Sequence, residues 1–218
     1  MNHDFLNKGY IVIPNVFTID EIKRMRDLSI QYFKDGGGFK NAGGFAKPDY
    51  IKEDILSPIY ELIETKNLES VIQELIGQPV EFVGHNDLHM NRSVGWHKDR
   101  LNGEARKFEI HSPWDIIDGE SMKIYKVNLY LQDHHNNNDA LIVKEGNHKS
   151  ESMIGGDNVV IRPNIGDIII FDQRINHMAT YSGGYDRLLV CMGYGVKNIF
   201  FDEFKLGTEY RQNKQNGI

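Results

Sequence analysis

The texture of this chain changes at Gly77. From there to about residue 200, short runs of alternating or wholly apolar residues are punctuated by Gly, Asn, Asp and Pro. Runs of this length are strands, and they are stable only when paired with one another, so the pattern predicts an antiparallel β structure. The predicted strands span residues 80–91, 123–133, 140–143, 159–163, 167–172 and 187–195. Ahead of Gly77 the signals differ. KGYIVIPNVF (8–17) reads as a short strand, and Thr18 with Glu21 forms a capping box that opens a helix over 19–34. A second helical region over 58–76 follows Ser57 and a first-turn proline and stops at Gly77, with a break near Lys66. Between the two helices lies DGGGFKNAGGF (35–45), whose five glycines predict a flexible loop. The fold class expected is mainly β with flanking helices. It forms one domain over 1–218, with a helical flank at about 18–77 and a barrel at about 78–200.

Charge and composition narrow the partners. A net charge of −6 with pI ≈ 5.8 lacks the basic footprint that phosphate-backbone binding needs, so a small-molecule substrate is expected and nucleic acid is not. Hydrophobic residues make up 40% and charged residues 26%, enough apolar content to exclude a disordered chain. The single cysteine, Cys191, sits in an apolar run and reads as a small buried side chain in a reducing compartment. No apolar segment approaches the ~20 residues of a bilayer span. The expectation is therefore a cytoplasmic protein without membrane attachment, as a monomer or homodimer.

The chemistry-bearing residues begin at Gly95-Trp96-His97-Lys98-Asp99. His97 and Asp99 are two residues apart, which in extended chain directs an imidazole and a carboxylate to one face. Alone, such a pair is weak evidence. A third ligand is expected from a distant strand, and His177 is chosen because it follows the apolar run Gly166–Phe171 and the turn at 172–176, which places it at a strand rim. Two histidines and one carboxylate leave three coordination positions open, the arrangement non-haem iron(II) needs to accept a bidentate co-substrate and dioxygen. Ten residues on, Arg187 opens the apolar strand Arg187–Met192. A buried arginine needs an anion. Its planar fork suits the distal carboxylate of 2-oxoglutarate, and an internal salt bridge to Asp or Glu is the competing reading.

At this point the chain resembles a known family, the phytanoyl-CoA hydroxylase-like branch of the 2-oxoglutarate oxygenases. GYIVIPNVFTIDEIKRMR, WHKD, NLYLQDHHNNNDALIVKEGNHK and GDIIIFDQRINHMAT with YDRLLVCMGY match its motifs in order. The sequence departs from that pattern at Glu145 and Asn147, where Pro and Ser are usual, and at Ala179, where a serine is common. The resemblance implies a double-stranded β-helix, or jelly roll, of cupin-like barrel form backed by N-terminal helices. It also implies an oxidoreductase that uses Fe(II), 2-oxoglutarate and O2, hydroxylates a small polar metabolite or natural-product intermediate, and releases succinate and CO2. Asn128 matches a co-substrate-contacting position of the family. The rival readings are a cupin-like metal enzyme without keto-acid dependence and a non-catalytic binding barrel.

Several further positions are set by alternation. His85, Asp87, His89 and Asn91 share one strand face. Either they face a cavity, where Asn91 contacts 2-oxoglutarate and Asp87 and His89 contact substrate, or they form a solvated strand face. The first is preferred because the strand runs directly into the ligands. Lys126, Asn128 and Tyr130 alternate with apolar residues and are expected to point inward. The least patterned segment, 100–121, carries Arg100, Arg106, Lys107 and His111; Arg100 and His111 are candidate substrate contacts, and this segment and the glycine stretch are candidate lids. His134, His135 and His148 occupy polar turns, are expected at the surface, and are not taken as ligands.

Overall fold

The computed structural model describes residues 2–134 and 139–215. Its first helix, α1 (His3–Lys8), is capped by the Asn2 side chain and ends at Gly9, in the left-handed region at φ 82°. Glycine is required there. A Cβ would lie 2.3 Å from Nδ1 of His148, so the turn into strand β1 (Tyr10–Ile13) closes only without one. Helix α2 (Ile19–Lys34) carries the expected capping box, and its buried stripe of Ile22, Met25, Ser29 and Phe33 follows the helical period.

The glycine stretch departs from expectation. It is not a loose loop but the start of a hairpin, β2 (Phe39–Asn41) and β3 (Gly44–Pro48), with β3 paired to the long strand β4 (Glu81–Met90). A Cβ on Gly44 would meet the Met90 carbonyl oxygen at 2.1 Å, so this glycine permits close strand approach rather than mobility. Between hairpin and β4 the helical region divides into α3 (Ser57–Glu64) and α4 (Leu68–Ile76). The break falls where Asn67 takes a left-handed conformation and caps α4 by accepting from Ser70 N.

The remaining elements are β5 (Val94–His97), the small hairpin β6 (Ile116–Ile117) and β7 (Glu120–Ser121), β8 (Ile124–Tyr130), β9 (Leu141–Lys144), β10 (Asn158–Ile161), β11 (Ile168–Asp172), β12 (His177–Ala179), β13 (Leu188–Gly195) and α5 (Ile199–Gln215). They form a seven-stranded sheet in the order β1-β11-β8-β13-β4-β3-β2 and a four-stranded sheet in the order β10-β9-β12-β5, with every pairing antiparallel. The two sheets face each other across a core of Tyr130, Ile169, Phe171 and Leu189 from the large sheet and Leu141, Val143 and Ile161 from the small one. This is the expected jelly roll, although the two ladders do not join into a closed barrel. On its other face the large sheet buries Val127, Leu129, Ile168, Ile170, Val190 and Met192 in one cluster with the side chains of α2, α3 and α4. Each fully buried aliphatic side chain there is worth roughly 1.5–3 kcal/mol.

Two features lie outside the sequence expectation. The flank at about 18–77 is not purely helical, since β2 and β3 lie within it and extend one edge of the large sheet, while the strand expected in 8–17 appears as β1 at the other edge. The chain also continues past the barrel into α5. That helix is hard to read from sequence because its buried positions change character along its length, from Phe200, Phe201 and Phe204 to Gly207, Thr208 and Gln212. Gly207 is where Leu101 packs, its Cδ1 lying 2.3 Å from where a Cβ would stand.

Candidate metal centre

Strands β5 and β12 are neighbours, and their register sets His97 directly opposite His177. The two rings lie 4.2 Å apart between centroids. Each ring is fixed by the same device. His97 Nδ1 is 2.8 Å from the Gly95 carbonyl oxygen and His177 Nδ1 is 3.0 Å from that of Ile175. A carbonyl only accepts, so both Nδ1 atoms carry the proton and both Nε2 lone pairs are left free. Those lone pairs face Asp99, at 3.5 Å from Oδ1 and 3.9 Å from Oδ2 respectively. One donor atom from each of the three residues lies within 4.8 Å of the others. Asp99 sits two residues beyond His97 but outside the strand, its amide donating to the Gln173 carbonyl.

The electrostatics suit a cation. Burial alone would raise the Asp99 carboxyl, but Lys126, His177 and His97 overcome it and hold the group well below the usual carboxylate range. Burial lowers His177 to about 4, which keeps the ring neutral and able to ligate. At His97 burial acts downward, yet the Asp99 carboxylate prevails and its pKa is raised.

Lys98, between the two ligands of the HxD motif, clamps this segment. Its ammonium donates to the carbonyls of Asn147, Ser150 and Arg174 at 2.8–2.9 Å and lies 5.1 Å from the centre of the Trp114 ring. Burial lowers it to about 8, so it remains charged at neutral pH. Of these carbonyls, that of Arg174 sits in the turn before His177, and those of Asn147 and Ser150 sit in the turn where the sequence departs from the family pattern. There Asn147 earns its place, its Nδ2 donating to three further carbonyls, those of Ser152, Ile154 and Gly155. Glu145 accepts from the Tyr10 hydroxyl.

The triad opens into a cavity of about 270 Å3 between the sheets. Arg187 also faces this cavity, 3% exposed. Its Nη1 donates to the Arg92 carbonyl and its Nη2 to the Tyr130 hydroxyl, at 2.9 and 3.0 Å, while Nε is buried with no acceptor. No carboxylate among the described residues pairs with it, so the internal salt bridge weighed against a ligand role is not found. Tyr130 accepts from Arg187 and keeps its own proton to donate. Asn128 lines the cavity too, with Oδ1 buried and unpaired, and Ala179 lines it where a serine would have offered a hydroxyl.

Of the polar face on β4, His85, Asp87 and His89 line the cavity, and Asn91 does not. The strand ends at Met90 and Asn91 turns left-handed, φ 59°, so that Oδ1 accepts from Arg187 N and Nδ2 donates to Asp186. Its role is to brace the start of β13. Arg100 and His111 do not line this cavity either. Arg100 pairs with Glu109 and Glu151, and His111 with Glu203 on α5, so each has already found a carboxylate. Arg106 is exposed and Lys107 stands over the Tyr210 ring. His134 and His148, expected at the surface, are 0% and 5% exposed; backbone carbonyls of Asp139 and Leu6 partner them, because α1 and the turn at 147–149 pack together. His135 lies outside the described residues.

One cavity residue had no signal in its own segment. Arg211, on the polar half of α5, reaches Asp87 with Nη2 to Oδ1 at 2.9 Å and Nη1 to Oδ2 at 3.3 Å, and Nη2 also meets His85 Nδ1 at 3.1 Å. An acidic cavity-facing position in need of a counter-charge was the available clue, but nothing in sequence located the partner.

No protein-family model and no curated protein matches the sequence. Among solved structures, AviO1 from Streptomyces viridochromogenes Tue57 superposes with a TM-score of 0.68 at 18% identity, over 88% of this chain and 92% of that one. HygX from Streptomyces hygroscopicus, solved with nickel and 2-oxoglutarate bound, gives 0.64 at 18% over 88% and 84%. The non-heme alpha-ketoglutarate-dependent epimerase SnoN of nogalamycin biosynthesis gives 0.69 at 14% over 88% and 80%. At these identities the likeness establishes the fold, a jelly roll shared with proteins of that chemistry.

Proposed function

We propose that this protein is an iron(II)- and 2-oxoglutarate-dependent dioxygenase that oxidises a small polar metabolite or natural-product intermediate. The observation that carries the reading is the coexistence, in one cavity, of the His97–Asp99–His177 triad and an Arg187 fork without a carboxylate partner. The resemblance to phytanoyl-CoA hydroxylase-like oxygenases and the nickel and 2-oxoglutarate seen in HygX point the same way. When bound, iron(II) and 2-oxoglutarate together supply the capacity to activate dioxygen and oxidise a C–H bond, with release of succinate and CO2.

The protein's own groups set the geometry. Gly95 and Ile175 carbonyls hold the two imidazoles in the ligating tautomer. Arg187 and the Tyr130 hydroxyl receive the distal carboxylate, with Asn128 available to the keto acid between that anchor and the metal. The apolar wall of Phe171, Leu141 and Leu189 excludes water.

The test is calorimetry on the full chain with nickel, a redox-silent stand-in, followed by 2-oxoglutarate. Alanine at His97, Asp99 or His177 should abolish metal binding and succinate release while the protein stays folded; unaltered binding in any two refutes the triad. Arg187→Ala should leave nickel affinity unchanged and weaken 2-oxoglutarate roughly ten- to a hundredfold, since a charge-assisted contact is worth ~1.5–3 kcal/mol. A cupin-like enzyme without keto-acid dependence would show no such loss.

A further inference from the structure

The end of the cavity away from Arg187 holds a cation without a close acceptor, its ammonium 5.8 Å from the centre of the Phe204 ring. Lys126 points inward from β8, 3% exposed, and its ammonium has no hydrogen-bond acceptor among the described residues. The nearest carboxylate oxygen is Asp99 Oδ2 at 3.8 Å, and Asp99 is the carboxylate assigned to the metal. With a divalent ion in place, the single charge of Asp99 is shared between Lys126 and the metal. A buried ammonium in that position needs an anion from elsewhere.

The protein does not supply it. Asp87, the other carboxylate of the cavity, has both oxygens engaged by Arg211. Nor is 2-oxoglutarate the natural source, because one of its carboxylates is assigned to Arg187 and Tyr130 and the other to the metal. Tyr130 and Lys126 are four residues apart on one strand, roughly 13 Å between backbone positions.

The groups around Lys126 are donors as well. His85 Nδ1 lies against Arg211 Nη2, and an arginine only donates, so Nδ1 accepts and the proton of this ring sits on Nε2, where its neighbour is the Cys191 sulfur at 3.7 Å, a weak acceptor that an anion would outcompete. Arg211 Nε is buried and unpaired. Lys126, His85 and Arg211 line both the main cavity and an adjoining recess of about 70 Å3, which Asp99 and Arg100 also border and which Phe204 and Thr208 of α5 close. This recess has room for one head group.

We propose that the substrate carries an anionic oxygen group, a carboxylate or a phosphate, which seats against Lys126 with His85 and Arg211 as further donors and so directs the adjoining carbons toward the metal. The inference rests on the functional reading above and adds the substrate class. It also assigns a specificity role to α5, since Arg211 reaches the site only through that helix.

The test uses the full chain saturated with nickel and 2-oxoglutarate, so that Arg187 is occupied, and titrates it calorimetrically with acetate and with inorganic phosphate. At least one should bind the wild type, and which one binds distinguishes the two head groups. Lys126→Met, matched in length and uncharged, should lose at least tenfold in that affinity with 2-oxoglutarate affinity within twofold of wild type, while nickel affinity is expected to shift because a charge 3.8 Å from Asp99 is removed. Lys126→Arg should retain most of it, which separates charge from packing. No binding of either anion to the loaded wild type, or equal binding in wild type and Lys126→Met, overturns the proposal. So does a parallel fall in 2-oxoglutarate affinity, which would make Lys126 a co-substrate residue. If the wild type takes neither nickel nor 2-oxoglutarate yet binds an anion through Lys126, the functional reading fails and the anion receptor stands.

Discussion

The two faces of strand β8 make opposite demands on one segment. Outward, Tyr125, Val127 and Leu129 disappear into the apolar cluster beneath the helices; inward, Lys126, Asn128 and Tyr130 carry charge and hydrogen-bonding capacity into the cavity. The outer face is satisfied by the chain itself. The inner face is not, since among the described residues Asn128 Oδ1 has no partner and Lys126 no acceptor, and Nε of Arg187, facing the same cavity, is likewise unpaired. The outer face thus serves stability alone, while the inner face adds to its apolar core around Phe171 unpaired polar groups that weaken the fold and suit a ligand.

Substitutions on the two sides should therefore separate stability from binding. The largest stability effect is expected from Ile170→Ala on the outer face, where the side chain is 0% exposed: a loss of about 2–5 kcal/mol in urea unfolding, with 2-oxoglutarate affinity per folded molecule unchanged. A loss of affinity in step with stability would erase the distinction between the faces. Lys98→Met removes the donor shared by three carbonyls behind the HxD segment and should lower nickel affinity about ten- to a hundredfold, as loss of a group that orients metal ligands does. Asn128→Leu should move the two properties in opposite directions, stabilising the free protein by about 1 kcal/mol while weakening 2-oxoglutarate, read by thermal unfolding and calorimetry together. Val160→Thr, on the exposed side of β10 in the small sheet, should shift stability by less than about 0.5 kcal/mol and leave both ligands alone.

What could be read from sequence divides along similar lines. The strands of the barrel, the capping box at Thr18 and the break near Lys66 are local signals, carried by alternation and by cap residues, and they reappear in the structure. Histidines 97 and 177, eighty residues apart in the chain, meet through strand register. The glycine stretch misled because glycine permits both mobility and close approach, and only the position of the Met90 carbonyl decides between them at Gly44. Of the two expected substrate contacts, Arg100 pairs with Glu109 in its own segment and with the remote Glu151 while bordering the recess beside Lys126, and His111 is engaged by Glu203, remote in sequence. Arg211 was hidden by the same remoteness: its partner Asp87 lies 124 positions away.

The order of strands also bears on how the protein is made. β1 is synthesised long before β11, with which it pairs residue by residue, Tyr10 against Phe171. The hairpin strand β3 likewise needs β4, and β4 needs β13. A nascent chain therefore carries an unpaired β1 until residue 172 has been translated, and the large sheet cannot be completed before β13 has emerged. Its assembly is governed by distant pairings, which fold slowly and leave strand edges exposed in the interval. For such a topology, yield during expression should respond to lower temperature and slower synthesis more than to any stabilisation of the helices.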